Sequence, residues 1–269
     1  DEAPLRNLDD LTRNRINPET PAYRYFAACG PRYLYPRLGT ATMFALDKLK
    51  GEGGAYLNNP CCGLLSHNYG ELEDARQLAK KNIEHAEKNG SEPIVGDCSS
   101  CVAFLKTYPQ LFLKPEDAQW RKRAESFSKR VKDVVEIYGE CADALPAAAS
   151  IGVETTYHDS CRALNGQGLK DQPRRAVKKT AGESYCEMPG ADACCGGAGA
   201  FGFVHEEMSE ELLKKKISGA ASVQAGVILT SSTSCLIQLA RGLRKYYPDA
   251  KVRHLSEFVA EALDQNHGS

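Results

Sequence analysis

The longest apolar runs of this 269-residue chain fall well short of the roughly 18 to 20 residues that a membrane span needs, and its opening lacks the charged-then-apolar pattern of a secretory signal. The expectation is a cytoplasmic protein, associated with membranes only through partners. Charge of one sign is not in excess either: 34 basic and 35 acidic residues nearly cancel, and no basic block is interleaved with aromatics. That argues against nucleic acid as a partner. The chain has one C-x-x-C knuckle, at Cys98 and Cys101, where a zinc site is usually built from two. Its polar opening, residues 1–22, ends in Pro-rich punctuation and reads as an arm or linker.

Cysteine, by contrast, is abundant, at positions 29, 61, 62, 98, 101, 141, 161, 186, 194, 195 and 235. A chain with 42% apolar residues can fold on its own core and does not need a disulfide scaffold. An odd count would leave one thiol over, and adjacent cysteines close a strained ring when they pair with each other. Metal ligation is the better account.

The cysteines repeat. Cys29, Cys61, Cys62 and Cys101 recur as Cys161, Cys194, Cys195 and Cys235, at offsets of 132 to 134. The match extends to Gly63 and Gly196, to "LAKKNI" (78–83) and "LLKKKI" (212–217), and to Ile94-Val95 and Ile228-Leu229. The chain is therefore read as a duplicated unit, spanning 23–145 and 146–269. In each copy an apolar run ends at the first cysteine ("YRYFAAC", "VETTYHDSC") and a helical pattern follows. A second extended run ("GAYLNNPCC", "SYCEMPGADACC") ends at the cysteine pair, and an amphipathic helix leads to a β-branched run ("PIVGDC", "AGVILTSS"). A last helix starts at Cys101 or Cys235. Alternating strands and helices predict an α/β fold of two pseudo-equivalent units with mainly parallel sheets, the cysteines at strand carboxyl ends, where α/β sites collect. Between the units, residues 116–140 read as one charged helix and 144–152 as a linker.

One stretch, "DACCGGAGAFGFVHEE" (192–207), also spells the dinucleotide fingerprint G-x-G-x-x-G at Gly197, Gly199 and Gly202. That fingerprint needs a strand leading in, a helix leading out and an acid after the next strand. Here the next strand ends in "LTSSTSC", without an acid, and the first copy carries "CCGLLSHNYG" instead. NAD is not expected; the glycines are assigned to chain geometry, room for a bulky inorganic group and positive φ. The first copy reads Cys29, 31 residues, Cys61-Cys62, 35 residues, then Cys98-x-x-Cys101. Five soft thiols without histidine partners suit an iron–sulfur cluster, and exceed by one what a cubane takes.

These spacings resemble the cysteine-rich CCG domain, carried twice by the B subunit of heterodisulfide reductase. The resemblance covers about 23–247, and "PIVGDCSSCVAFLKTYP" (93–109) is similar to the iron–sulfur subunits of lactate-utilisation and glycolate-oxidase systems. It implies that Cys29, Cys61, Cys62, Cys98 and Cys101 hold a noncubane [4Fe-4S] cluster. Cys161, Cys194, Cys195 and Cys235 match the second copy, but Ser232 stands where its fifth cysteine would be. That departure leaves open a cubane, a smaller cluster, zinc or nothing at the second site. The resemblance further implies an electron-transfer subunit of an oxidoreductase. Its partners would be a flavoprotein or ferredoxin-type iron–sulfur subunit and a membrane quinone-reactive subunit. In glycolate-oxidase-like members a ferredoxin module precedes the repeats, and the polar opening fits a chain that lacks it or receives it from another subunit. Two alternatives stand beside this: a disulfide reductase acting at the noncubane cluster, and a zinc or structural thiol protein.

Outside both patterns, Cys141 and Cys186 are expected to be buried structural thiols. His158, three residues before Cys161, is read as a satisfied structural histidine, ahead of a group that hydrogen-bonds a cluster sulfur or relays a proton. His67 has the same standing. Arg174, Arg175, Lys178 and Lys179 read as a solvated helix face that could dock an acidic electron donor.

Overall fold

The computed structural model describes residues 20–51, 53–146 and 153–265. Most of the polar arm (1–19) and most of the linker (147–152) lie outside the described residues. The chain divides into two compact units, residues 1–134 and 135–269.

In the first unit, β1 (Arg24–Phe26), α1 (Pro36–Lys50) and β2 (Ala55–Tyr56) are followed by α2 (Leu64–Asn68), α3 (Leu72–Lys88) and β3 (Ile94–Gly96). Then come α4 (Ser99–Lys106), α5 (Ala118–Arg130) and β4 (Val131–Asp133). The strands form one parallel sheet in the order β2-β1-β3-β4. After α6 (Val134–Glu140), the second unit continues with β5 (Thr155–Tyr157), α7 (Cys161–Gln167), α8 (Asp171–Ala181), α9 (Phe201–Val204) and α10 (Glu206–Ser222). It ends with β6 (Val227–Thr230), α11 (Thr233–Tyr246), β7 (Lys251–His254) and α12 (Leu255–Gln265). Its sheet is also parallel, in the order β5-β6-β7, and a bridge from Thr155 to Tyr185 stands where the first unit has β2. The duplicated, mainly parallel α/β fold expected from the sequence is the fold observed.

The register repeats as well. Tyr25 pairs with Val95, and Tyr157 with Leu229, so Phe26 in the first unit occupies the place of His158 in the second. Each of these tyrosines reaches across to the strand that will carry the last cysteine: Tyr25 Oη donates to Asp97 Oδ2 at 2.5 Å, and Tyr157 Oη lies 3.1 Å from Ser231 Oγ.

Two elements differ from the sequence reading. The charged helix expected over 116–140 is broken at Val131, where three residues enter the sheet beside β3. Val131 and Asp133 are buried there, and the β-branched run "VKDVV" suits a pleated, buried edge better than a charged helix face. The extended run before the second cysteine pair is reduced to the single Tyr185 bridge, because it contains Pro189, which cannot donate to a ladder, and turns at Gly190.

Helix α3 buries Ala75, Ala79, Ile83 and Ala86, a helical stripe that packs into a core rich in rings: Phe26, Phe104, Tyr108, Phe112 and Phe127. The matching α10 buries Leu213, Ile217 and Ala220 in an aliphatic core with Ile228, Leu239 and Leu243. It approaches α11 so closely that a Cβ on Gly242 would lie 2.6 Å from Leu213 Cδ1. Among the described residues, no helix is long and apolar enough to cross a membrane.

Candidate metal centres

All five thiols of the first set lie where strand carboxyl ends meet the following turns. Cys29 follows β1 and opens the turn Gly30–Leu34; Cys61 and Cys62 follow β2; Cys98 caps α4 in an extended conformation, with Cys101 in its first turn. Cys62, Cys98 and Cys101 are buried, while Cys29 and Cys61 are exposed. The thiols act on one another. Those of Cys101 and Cys61 donate to Cys62 and hold it well below the ordinary thiol range despite its burial. Cys61 is pushed up first by that donation and then by burial, and Cys101 is pushed up by donating to Cys62 and by its contact with Cys98. Burial, then the charges of Cys98 and Cys62, raise Cys29. Thiolates crowded in this way cannot all ionise unless a cation joins them, and this donor set fits a soft metal or an iron–sulfur cluster.

The loops that carry the thiols are held by residues to which the cysteine pattern did not point. Asn59 accepts from the Ala27 N–H at 2.9 Å and donates to the Ala27 carbonyl at 3.1 Å, which ties the Cys29 turn to the Cys61 turn. Asn82 donates to the Cys61 carbonyl at 2.9 Å, and Tyr108 Oη to that of Cys62 at 2.7 Å. Gly63, with φ of 87°, turns its N–H onto Cys61 Sγ at 3.5 Å.

The second set repeats this frame with other supports. Gly196, with φ of 79°, places its N–H 3.3 Å from Cys194 Sγ. Cys195 and Cys235 are buried, Cys161 is half-buried and Cys194 exposed. The Cys235 thiol draws Cys195 down to about 4 against its burial, with the His158 ring adding to the effect. The Cys161 thiol draws Cys194 down to about 6, also against burial, with the Gly196 N–H contributing, while Cys161 itself is pushed up. Gln238 donates to the Cys195 carbonyl at 3.2 Å and to Ser209 Oγ at 3.0 Å, and Ser209 closes onto the Gly196 carbonyl at 2.9 Å. Lys216, in the place of Asn82, is buried, donates to the Gly190 and Ala191 carbonyls, and feels the charges of Cys195 and Cys235. Ser232 is buried at the cap of α11, 3.2 Å from Ser234 Oγ, and its carbonyl accepts from Leu236 as that of Cys98 does from Val102.

Four expectations change. His158 is not a satisfied structural histidine: it is buried, neither ring nitrogen has a hydrogen-bond partner of acceptable geometry, and the ring nitrogen and the Cys195 and Cys235 sulfurs lie within 4.8 Å of one another. Arg174 is not part of a solvated face; it grips Asp159 at 2.9 and 2.7 Å and also pairs with Glu187, leaving Arg175, Lys178 and Lys179 exposed. Cys141 and Cys186 are half-buried rather than core thiols. His67 is exposed, its ring 5.1 Å from that of Phe104.

The glycine fingerprint lacks the context a phosphate loop requires. Among the described residues no strand leads directly into it, and the helix after it, α9, is one turn long. A Cβ on Gly197 would lie 2.7 Å from Gln238 Cβ, so that glycine admits helix α11 rather than a ligand.

A duplicated parallel α/β frame with clustered thiols at its strand ends is the signature of a cysteine-rich domain protein. The cysteine-rich domain family, CCG, matches the chain twice, over residues 23–106 and 155–240, and the chain belongs to that family. It is 28% identical over 245 residues to Lactate utilization protein A of Exiguobacterium sp., across 91% of this chain and 99% of that protein. To the Probable glycolate oxidase iron-sulfur subunit of Bacillus subtilis it is 29% identical over 250 residues, across 92% of this chain and 56% of that protein. Among solved structures, a hypothetical protein from Helicobacter pylori aligns with a TM-score of 0.65 at 12% identity, over 99% of this chain and 57% of that one, a likeness of fold alone.

Proposed function

We propose that the chain is an iron–sulfur electron-transfer subunit of an oxidoreductase complex, passing electrons between a flavin or ferredoxin-type partner and a terminal acceptor such as a quinone. The observation that carries this reading is the convergence of Cys29, Cys61, Cys62, Cys98 and Cys101 at the ends of neighbouring parallel strands, three of them buried. Membership of the cysteine-rich family and the named iron–sulfur relative support it. The five-thiol count favours a noncubane [4Fe-4S] cluster at the first site, since a cubane takes four.

A bound cluster supplies reversible one-electron storage. The residues of the chain do the rest. The five cysteines would hold the cluster as thiolates, and the apolar core that Phe26 and Phe104 form with Cys62, Cys98 and Cys101 would limit the access of water to it. The Gly63 N–H and the positive end of the α4 dipole favour the anionic state. Exposed apolar side chains in the segments that follow the cysteines, Tyr33, Leu34, Leu65 and Tyr69 in one unit and Phe203 and Val204 in the other, offer contact surface for protein partners.

Anaerobic isolation tests the proposal. The expected product is brown and contains at least about four iron and four acid-labile sulfide per chain. Stoichiometric zinc without sulfide would sink it.

A further inference from the structure

We infer that His158 is a metal ligand, and that the second site is a mixed imidazole–thiolate centre formed by His158 with Cys161, Cys194, Cys195 and Cys235. It would take a thiophilic metal, either the iron of a cluster or zinc. The inference rests on the proposed reading of the chain as a metal-binding protein.

Comparison of the two units carries the argument. Aligned by sheet register, they differ at several positions next to the buried cysteines, and two of these exchange a metal donor: the second unit has Ser232 for Cys98 and His158 for Phe26. One donor is lost and another gained at the same cluster of side chains. In the first unit Phe26 packs in the apolar core with Cys62, Cys98 and Cys101. In the second, the His158 ring nitrogen, Cys195 Sγ and Cys235 Sγ lie within 4.8 Å of one another, all three residues buried.

The groups the buried imidazole faces are the Cys195 and Cys235 sulfurs; it interacts with Cys195, but neither ring nitrogen makes a well-formed hydrogen bond to offset the water it has left. The adjacent Asp159 does not relieve it, since both of its carboxylate oxygens are held by Arg174. Nor is the imidazole alone: Ser160, Thr230 and Thr233, on the segments that deliver Cys161 and Cys235, also have buried hydroxyls without a hydrogen-bond partner. Polar groups on the segments that carry the thiols make the second site suited to a polar ligand. An imidazole nitrogen ligates zinc and iron alike, and its neutrality lowers the negative charge of the site relative to five thiolates. Buried Lys216 acts in the same direction. In an iron–sulfur centre, imidazole for thiolate raises the reduction potential.

The test uses the full chain, isolated anaerobically with 15N-histidine, as wild type, His158→Phe and His158→Cys. His158→Phe installs the first unit's own residue, which that fold accommodates, and thermal unfolding checks that it remains folded. The expected result is a strongly coupled histidine nitrogen in the pulsed EPR of the reduced or oxidised iron centre, or a nitrogen scatterer in the zinc-edge absorption spectrum. The signal should be lost in both variants, with His158→Cys retaining more second-site metal than His158→Phe. Iron coupling identifies a cluster and zinc scattering a mononuclear site; either supports the ligand assignment. Second-site metal with a sulfur-only shell, unchanged in a folded His158→Phe protein, overturns it while leaving the proposed function intact. A chain that binds no metal at all overturns the proposed function as well.

Discussion

The first unit surrounds its buried cysteines with rings and an amide: Phe26, Phe104 and Tyr108 pack beside them, and Asn82 and Tyr108 hold the carbonyls of the cysteine pair. The second, on a three-stranded sheet of matching register, sets Cys195 and Cys235 in an aliphatic core with Leu213, Ile217 and Leu239 and adds buried polar side chains, His158, Lys216 and Gln238. Duplication preserved the backbone frame, namely parallel strands, a glycine of positive φ after each cysteine pair and a capped helix carrying the last cysteine. The lining diverged. A frame set by backbone hydrogen bonds and φ/ψ tolerates exchange of the side chains that face its site, so two copies of one fold can tune two centres differently.

The largest effect should come from removing the buried member of each pair. Cys62→Ala should abolish the first centre, with a loss of about four iron per chain, while Cys195→Ala should empty the second and spare the first. Metal and sulfide analysis of each variant reads this directly, and loss of both centres in either one would mean that they do not assemble independently.

Next come the two cap positions. Cys98→Ser should change the EPR or Mössbauer signature of the first site more than it lowers total iron, because four thiolates remain. Ser232→Ala should leave iron content and spectra unchanged, since a hydroxyl is a poor ligand for iron beside thiolates. Loss of a centre in Ser232→Ala would make serine a ligand and narrow the contrast between the units.

The two glycines after the pairs should separate in stability. A Cβ on Gly196 would lie 2.7 Å from the Ser209 carbonyl oxygen, whereas one on Gly63 first meets Leu78 Cβ at 3.3 Å. Both substitutions place alanine at positive φ, worth about 1 kcal/mol, and Gly196→Ala should add roughly another 1 to 2 kcal/mol of overpacking. Chemical denaturation of the two variants measures the gap; equal destabilisation would show that the second loop yields.

The smallest effect concerns charge. Position 76 is arginine, paired with Asp117 at 2.7 Å; its counterpart Glu210 is drawn down to about 2 by donation from Lys245 and Tyr246, with the charges of Lys245 and Arg241 adding to it. A depressed carboxyl contributes stability above its unfolded value and loses it as pH falls through the folded one. Glu210→Gln should therefore remove at most about 1 kcal/mol near neutral pH, because its partners are largely exposed, and nothing below about pH 2. Acid titration of thermal stability in wild type and variant would show the two curves merging at low pH.

Much of this frame was legible in the sequence. Matched offsets of the cysteines, of Gly63 and Gly196 and of Ile94 and Ile228 define the repeat, and β-branched runs before the last cysteines define the central strands, since both signals are local. Other elements were not legible. The run 116–140 has helical periodicity, and only the vacant edge of β3 draws Val131–Asp133 into the sheet. The sequence reading closed its first unit at 145, whereas the compact units divide at 134; Tyr138 Oη, in the intervening segment, bonds Ser256 Oγ at 3.0 Å. The supports Asn59, Asn82, Gln238 and Ser209 carry no composition signal, because a buried amide or hydroxyl is recognised as a support only by the group it meets in the fold.

By itself the sequence determined how many thiols each unit offers, which are equivalent and where the symmetry breaks, because ligand type and chain spacing are properties of the covalent order. Only the tertiary structure decided what His158 is. Its meaning depends on the in-register pairing of β5 with β6, which brings the end of one strand beside the turn that carries Cys235, and on the loop that returns Cys195 to both. Whether a buried nitrogen has found a partner is a fact about every atom around it, and that neighbourhood exists only once the chain has folded.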